Sequence, residues 1–202
     1  MTESFEIRPY RPEDYDAVSS ICVQTAEVGG DARGLYSSDE LMPDVFVRPY
    51  AAYAPDLAFV VVDSDDRVAG YIVGVANTRD YVDWYAREWL PGFAEKYTHV
   101  EPFTDRNGMI THLGFWPERM LIPEVDEYTA HLHIDLLPHA QAQGLGRRLI
   151  ETLADALREK RVTGLYISLD PNNVKASAFY DRVGFTDLPS TQPDERRVGM
   201  RF

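Results

Sequence analysis

An α/β fold, with a mixed twisted sheet and helices on both faces, is what the sequence predicts, and three observations predict it. Short β-branched apolar runs alternate with helical periodicities along the chain. Two of those runs, at 57–63 and 68–75, flank Ser64-Asp65-Asp66 and read as an antiparallel hairpin. In the C-terminal half, an apolar strand passes through a glycine-bearing turn directly into an amphipathic helix.

The elements follow in order. Phe5 and Ile7 mark a first strand. Arg11-Pro12-Glu13-Asp14 opens a helix, with proline near its first position and acids in its first turn. Its apolar stripe is Tyr15, Val18, Ile21 and Cys22, and the thiol on that stripe reads as core. Residues 27–56 read as a loop with short helical pieces. After the hairpin, Tyr81, Trp84, Tyr85, Trp89, Leu90 and Phe93 recur at helical spacing, cut by Pro91-Gly92. This aromatic surface reads first as core, with a cleft wall or lid as the alternative for some of its residues. Residues 128–137 form a strand and 138–144 a turn. A helix over 145–160 carries Leu145, Leu149, Ile150, Leu153 and Leu157 on one face. A strand covers 165–169. Pro171-Asn172-Asn173 starts a helix that runs to about Val183 and stops at Gly184. A last strand covers 198–202.

Composition narrows the function classes. The 202 residues carry 33 acidic and 20 basic side chains, for a net charge of −13. Such a surface repels a phosphate backbone, so no nucleic-acid partner is expected, while a cationic substrate is compatible. One cysteine excludes an internal disulfide framework and any multi-cysteine metal site. No apolar run approaches the ~20 residues that span a bilayer, so no membrane partner is expected. The first residues place acids and prolines where a signal peptide needs an apolar stretch. The expectation is a soluble, cytoplasmic protein made of a single domain over 1–202, with 77–127 as its irregular segment.

The chemistry concentrates at Gln141-Ala142-Gln143-Gly144-Leu145-Gly146. Two glycines let a ligand approach the backbone, the first N–H groups of the helix lack internal partners, and the helix dipole favours an anion there. Arg147 and Arg148 add positive charge in an acidic chain. A diphosphate suits this loop, although a tight turn alone would use the same residues. The spacing is neither a Walker loop nor a dinucleotide fingerprint.

Gln141-x-x-Gly144-x-Gly146 resembles the Q/R-x-x-G-x-G/A element of the GCN5-related N-acetyltransferase (GNAT) superfamily. Downstream, Asn173-x-x-Ala176-x-x-Phe179-Tyr180-x-x-x-Gly184-Phe185 resembles that family's second signature. The motifs cover about 129–186, and the first strand, first helix and hairpin also suit the family's first half. Members usually join their third and fourth strands by a short connection, whereas about fifty residues intervene here. That aromatic insertion, with Pro117-Glu118-Arg119-Met120 before the next strand, resembles bacterial acetyltransferases related to the acetyltransferase-like domain of O-GlcNAcase.

The resemblance implies acetyl-CoA as co-substrate, lying between splayed fourth and fifth strands. Its pantetheine arm would pair with the main chain of Leu136 and Leu137. Its diphosphate would take N–H groups from Gln141, Ala142, Gln143, Gly144, Leu145, Gly146 and Arg147. Asn173 matches an asparagine that contacts the cofactor arm, and Phe179 and Arg182 match positions near its far end. Tyr180 matches the general acid that protonates the departing thiolate. Acceptors would be small-molecule or peptide amines, attacked directly in a ternary complex. With Cys22 away from these motifs, no acetyl-cysteine intermediate is expected. Many members dimerise, so a homodimer is compatible.

The base is not fixed by the motifs. His131, His133 and Asp135 alternate along one strand and share one face. Paired histidines occur on the same strand in one member of the family, at a spacing that differs by one residue. Proton removal from the amine, a structural hydrogen-bonded group and a metal site all compete for this triplet, and no metal is expected. His99, His112 and His139 show no partner in the sequence. The alternative to an enzyme is an acetyl-CoA-binding module with little catalysis, acting as a sensor or partner domain.

Overall fold

The computed structural model describes residues 4–190, 192 and 194–202. The N-terminal half places β1 at Glu6–Pro9, α1 at Tyr15–Thr25, α2 at Leu41–Phe46 and α3 at Arg48–Tyr53. The hairpin is β2 at Ala58–Val62 with β3 at Val68–Val75. Between β3 and β4 (Ala130–Leu136) lie α4 at Thr78–Trp84, α5 at Leu90–Lys96 and α6 at Arg106–Phe115. The C-terminal part adds α7 at Leu145–Glu159, β5 at Gly164–Leu169, α8 at Val174–Val183, β6 at Thr186–Leu188 and β7 at Arg196–Arg201.

The seven strands form one sheet in the order β1-β2-β3-β4-β5-β7-β6. Every pairing is antiparallel except β4 with β5, so the sheet is mixed as expected. Two apolar layers sandwich it. On one face the leucines of α7 (Leu145, Leu149, Leu153, Leu157) pack on Val61, Ile72, Leu132 and Leu165, all buried. Burying each such side chain contributes about 1.5–3 kcal/mol. On the other face α1 to α3 and the insertion enclose Ile21, Tyr50, Tyr71, Tyr81, Tyr85 and Phe93. For these insertion aromatics core is therefore the observed role.

Two local expectations are corrected. Pro91 does not cut the aromatic helix: residues 78–96 are helical throughout, with a π turn at Tyr85–Trp89 where the Leu90 N–H reaches the Tyr85 carbonyl. The widened turn lets the proline ring enter, and Pro91 has no N–H to leave orphaned. The edge strand β6 was not expected: three residues paired with β7 carry too little periodicity to be read. No helix among the described residues is long and apolar enough to cross a membrane.

Candidate active site

β4 and β5 pair at only two positions, Ala130 with Leu165 and His131 with Tyr166. Beyond them the strands part. β5 keeps all six residues paired with β7, and β4 stays paired with β3 up to Leu136. The parting opens a wedge in the sheet, and burial records it: Ala130–Leu132 are buried, whereas His133, Ile134, Asp135 and Leu136 are half-buried.

The pleat decides which groups face the wedge. The Leu137 N–H bonds the Ala69 carbonyl over 2.9 Å, and the Leu137 carbonyl accepts from Ala140. Leu137, expected to pair with a cofactor arm, therefore has both main-chain groups engaged. By alternation, the main-chain groups of His133 and Asp135 turn to β3 and those of Ile134 and Leu136 turn to the gap. The Gln141 side chain donates to the Leu136 carbonyl at 2.8 Å, tying the following loop to the end of the strand.

That loop is exposed from Gln141 to Gly144. Ala142 and Gly144 sit at φ 60° and 77°, so successive amides turn inward. No side chain caps α7, whose first-turn N–H groups point out of the loop. The two glycines serve different needs. Gly144 provides the left-handed turn, and a Cβ there would meet nothing within 4 Å. A Cβ at Gly146 would lie 3.0 Å from the Phe179 ring, so Gly146 permits close approach of α7 and α8. Gln143 donates to the His139 carbonyl, and Arg147 donates through Nη2 to the Arg182 carbonyl at 2.6 Å, which locks α7 to the end of α8. Such a loop, uncapped and rich in inward N–H groups, fits a diphosphate.

Asn173 caps α8, its side-chain oxygen accepting from Ala176 N–H at 3.0 Å. The cap sets Phe179 and Tyr180 edge to face, with Tyr180 against Phe185. Tyr180 is 4% exposed. Burial first, then the Asp135 charge, push its phenol up, so it keeps its proton at any working pH.

The polar face of β4 holds a directed hydrogen-bond chain. The Thr78 hydroxyl must donate to the Thr129 carbonyl at 2.8 Å, so it accepts from His131 Nδ1 at 2.8 Å. His131 Nε2 is then an acceptor for the Tyr50 hydroxyl at 2.9 Å. The Tyr50 oxygen in turn accepts from His133 Nε2 at 3.0 Å. This assignment leaves Nδ1 of His133 as its unprotonated nitrogen. His131 has both nitrogens engaged and is 4% exposed, so it is a structural member and not a direct base. Burial, the neighbouring His133 and the Arg119 charge push it well below an ordinary imidazole. Burial and Arg119 also push His133 down, to about 3.

Asp135 stands apart. Burial raises its carboxyl to about 6, against the opposing hydrogen bond from Tyr71. Cys22 was expected to lie away from these motifs, yet its thiol is close enough to sense the charge of Asp135. Burial pushes that thiol up, so it stays protonated and is a poor nucleophile. Of the sequence-predicted residues, Asp135 and Tyr180 thus come into electrostatic reach of one another at the wedge. Sequence reasoning missed Tyr50, Tyr71, Thr78 and Arg119, which arrive from other elements; only the Pro117–Met120 turn carried a signal.

Comparisons with known proteins agree with this geometry. The profile described as "Acetyltransferase (GNAT) family" matches residues 30–185. The chain is 25% identical to Protein O-GlcNAcase of Rattus norvegicus over 191 residues, which covers 91% of this chain but a fifth of that protein's length. It is 38% identical over 63 residues to the [ribosomal protein bS18]-alanine N-acetyltransferase of Escherichia coli (strain K12), covering 31% of this chain and 42% of that one. Among solved structures, SsHAT superposes with a TM-score of 0.93 at 42% identity, covering 98% of both chains. The PaiA N-acetyltransferase of Thermoplasma acidophilum, solved in complex with coenzyme A, has a TM-score of 0.58 at 13% identity, covering 98% and 99%. With the family profile covering well over half of its length, the chain belongs to the GNAT acetyltransferase family.

Proposed function

We propose that this chain is a soluble cytoplasmic enzyme that transfers an acetyl group from acetyl-CoA, the co-substrate its family uses, to a primary amine by direct attack in a ternary complex. The observation that carries the reading is the wedge between β4 and β5, opened where the strands stop pairing after His131, with the charge of Asp135 felt at the Tyr180 phenol.

Acetyl-CoA supplies an acyl thioester. The Gln141 N–H is taken by the Pro138 carbonyl, so the N–H groups of the 142–146 stretch bind the diphosphate, and the main-chain groups of Ile134 and Leu136 orient the arm along the open edge of β4. Tyr180 holds a proton at its phenol oxygen and gives it to the thiolate that leaves. Asp135, ionised above about 6, takes the proton of the incoming amine, directly or through water. A base near 6 is far better matched to an alkylammonium near about 10 than one near 3, which favours Asp135 over His133. His133 then acts as a neutral positioning group, its ring fixed by Tyr50. The net charge of −13 favours a cationic acceptor.

Thermal unfolding with acetyl-CoA, CoA, ATP and NAD, each in excess, tests the cofactor. At ~100 times its dissociation constant, a ligand adds about 2.7 kcal/mol and raises Tm by roughly 5–10 °C for a chain of this size. Stabilisation by acetyl-CoA and CoA alone supports the reading, and a screen of amines for CoA release then identifies the acceptor class. No shift with either CoA species overturns it.

A further inference from the structure

A second group of ligating atoms lies on the outside of the insertion. The chain leaves α5 at Lys96 and returns through residues 97–105 to α6. His99 and Glu101 sit on that return, and His112 lies in the last turns of α6. His112 Nδ1 is 2.9 Å from Glu101 Oε1 and 3.1 Å from His99 Nε2, and His99 Nε2 is 3.6 Å from the same carboxylate oxygen. It is the one such His/Asp/Glu/Cys cluster among the described residues with ligand atoms close enough to share an ion.

A proton on His112 Nδ1 can be shared between Glu101 Oε1 and the His99 Nε2 lone pair, which leaves His99 and Glu101 as two acceptors facing each other at 3.6 Å. One divalent cation takes a lone pair from all three atoms at once. A tetrahedral zinc with bonds of about 2.0–2.1 Å has ligand–ligand edges of about 3.3–3.4 Å, and the three separations straddle that value. Aromatic rings fix the imidazoles: the Phe115 ring is 5.0 Å from His99, and Phe103 and Trp116 are 5.2 Å and 5.6 Å from His112. The imidazole planes lie within 23° of each other.

We propose that His99, Glu101 and His112 form a surface site for a divalent transition cation of the zinc class, with water at the fourth position. Two imidazole nitrogens and one carboxylate oxygen select zinc, copper or nickel over magnesium and calcium. The bound ion clips the 97–105 return to α6 and so braces the insertion that packs behind β4. It takes no part in acyl transfer. The two histidines are thirteen residues apart and pair only through the fold, so no local spacing announces the site.

The test is calorimetric titration of the whole chain, first treated with a chelator, with ZnCl2 and separately with MgCl2. One equivalent of zinc per chain is expected, and no magnesium. His99→Ala and Glu101→Gln, both at exposed positions, should each weaken zinc binding tenfold or more while the far-UV spectrum of the chain stays unchanged. His139→Ala, an exposed histidine outside the cluster, should leave it unchanged. Absence of stoichiometric zinc binding in the unmodified chain overturns the site. So does binding that survives intact in His99→Ala and Glu101→Gln. Neither readout involves acetyl-CoA, so the site stands or falls apart from the catalytic reading.

Discussion

The Tyr71 hydroxyl donates to the Asp135 carboxylate over 2.6 Å, and the carboxyl nevertheless titrates near 6 because burial outweighs the bond. Tyr71 is fully buried on β3 directly across from Asp135 in register. The pair therefore sets where the proposed base ionises. Removing the hydroxyl with Tyr71→Phe takes away a contact that favours the charged form, so the Asp135 pKa should climb above 6. The acidic limb of the kcat/KM profile, measured with the best amine acceptor, should move to higher pH. Asp135→Asn should erase that limb and lower kcat by about 10²–10⁴. A limb that stays in place in both variants assigns the base elsewhere.

Tyr180→Phe keeps the ring that packs on Phe179 and Phe185 and removes only the proton donor. Turnover should fall by about 10²-fold or more, with acetyl-CoA affinity changed less than about threefold. Thermal stability should hold. Turnover equal to that of the unmodified chain removes Tyr180 from the acid role. Affinity and turnover lost together would mean that the phenol positions the cofactor instead.

Gly146→Ala places a methyl 3.0 Å from the Phe179 ring. Overpacking of this kind costs about 1–3 kcal/mol. Gly144→Ala meets no atom but strains a φ of 77°, at about 1–2 kcal/mol. Pairing Gly146→Ala with Phe179→Leu should recover part of the loss, whereas Gly144→Ala with Phe179→Leu should be additive. Urea unfolding of the five variants, Phe179→Leu alone included, separates the two causes. Equal coupling in both pairs would contradict the division of labour between the glycines.

The sequence showed the strand–loop–helix and the Tyr180 helix because each is local: a glycine turn, a leucine stripe and an Asn cap signal themselves within a few residues. It also placed His131, His133 and Asp135 on one face, because a strand alternates. It could not divide their roles. That division comes from Tyr50, Tyr71, Thr78 and Arg119, which lie up to 83 residues from the histidine or carboxylate they act on. Leu137 escaped for a related reason: whether an N–H faces β3 or the gap depends on register, and register is a property of the sheet. Cys22 sat correctly on a core stripe, while its closeness to Asp135 required knowing how α1 crosses the sheet.

The same three groups on β4 should govern stability in mild acid. An imidazole pushed down on folding leaves the unfolded chain the stronger proton binder, so its contribution is present above about 6.5 and drains away as pH falls. His131 and His133 both behave this way, His133 down to about 3. Asp135 has the opposite sign. Its folded value near 6 lies above the unfolded 3.8, so the folded chain binds the extra proton between those limits and gains stability as pH falls. Between about pH 4.5 and 6, the two histidines and the one carboxyl leave a net uptake of one proton on unfolding, worth about 1.4 kcal/mol per pH unit. Asp135→Asn should steepen that slope towards twice its value, and His133→Asn should flatten it. Acid pairs such as Arg8–Asp14, whose carboxyl is held below the ordinary range, act only at lower pH and cancel in the comparison. Tm measured every half unit from pH 4.5 to 7 for the three chains decides it. Parallel curves would mean that the histidine pair takes up its protons in the folded state, and that the Thr78–His131–Tyr50–His133 chain can open without unfolding the sheet.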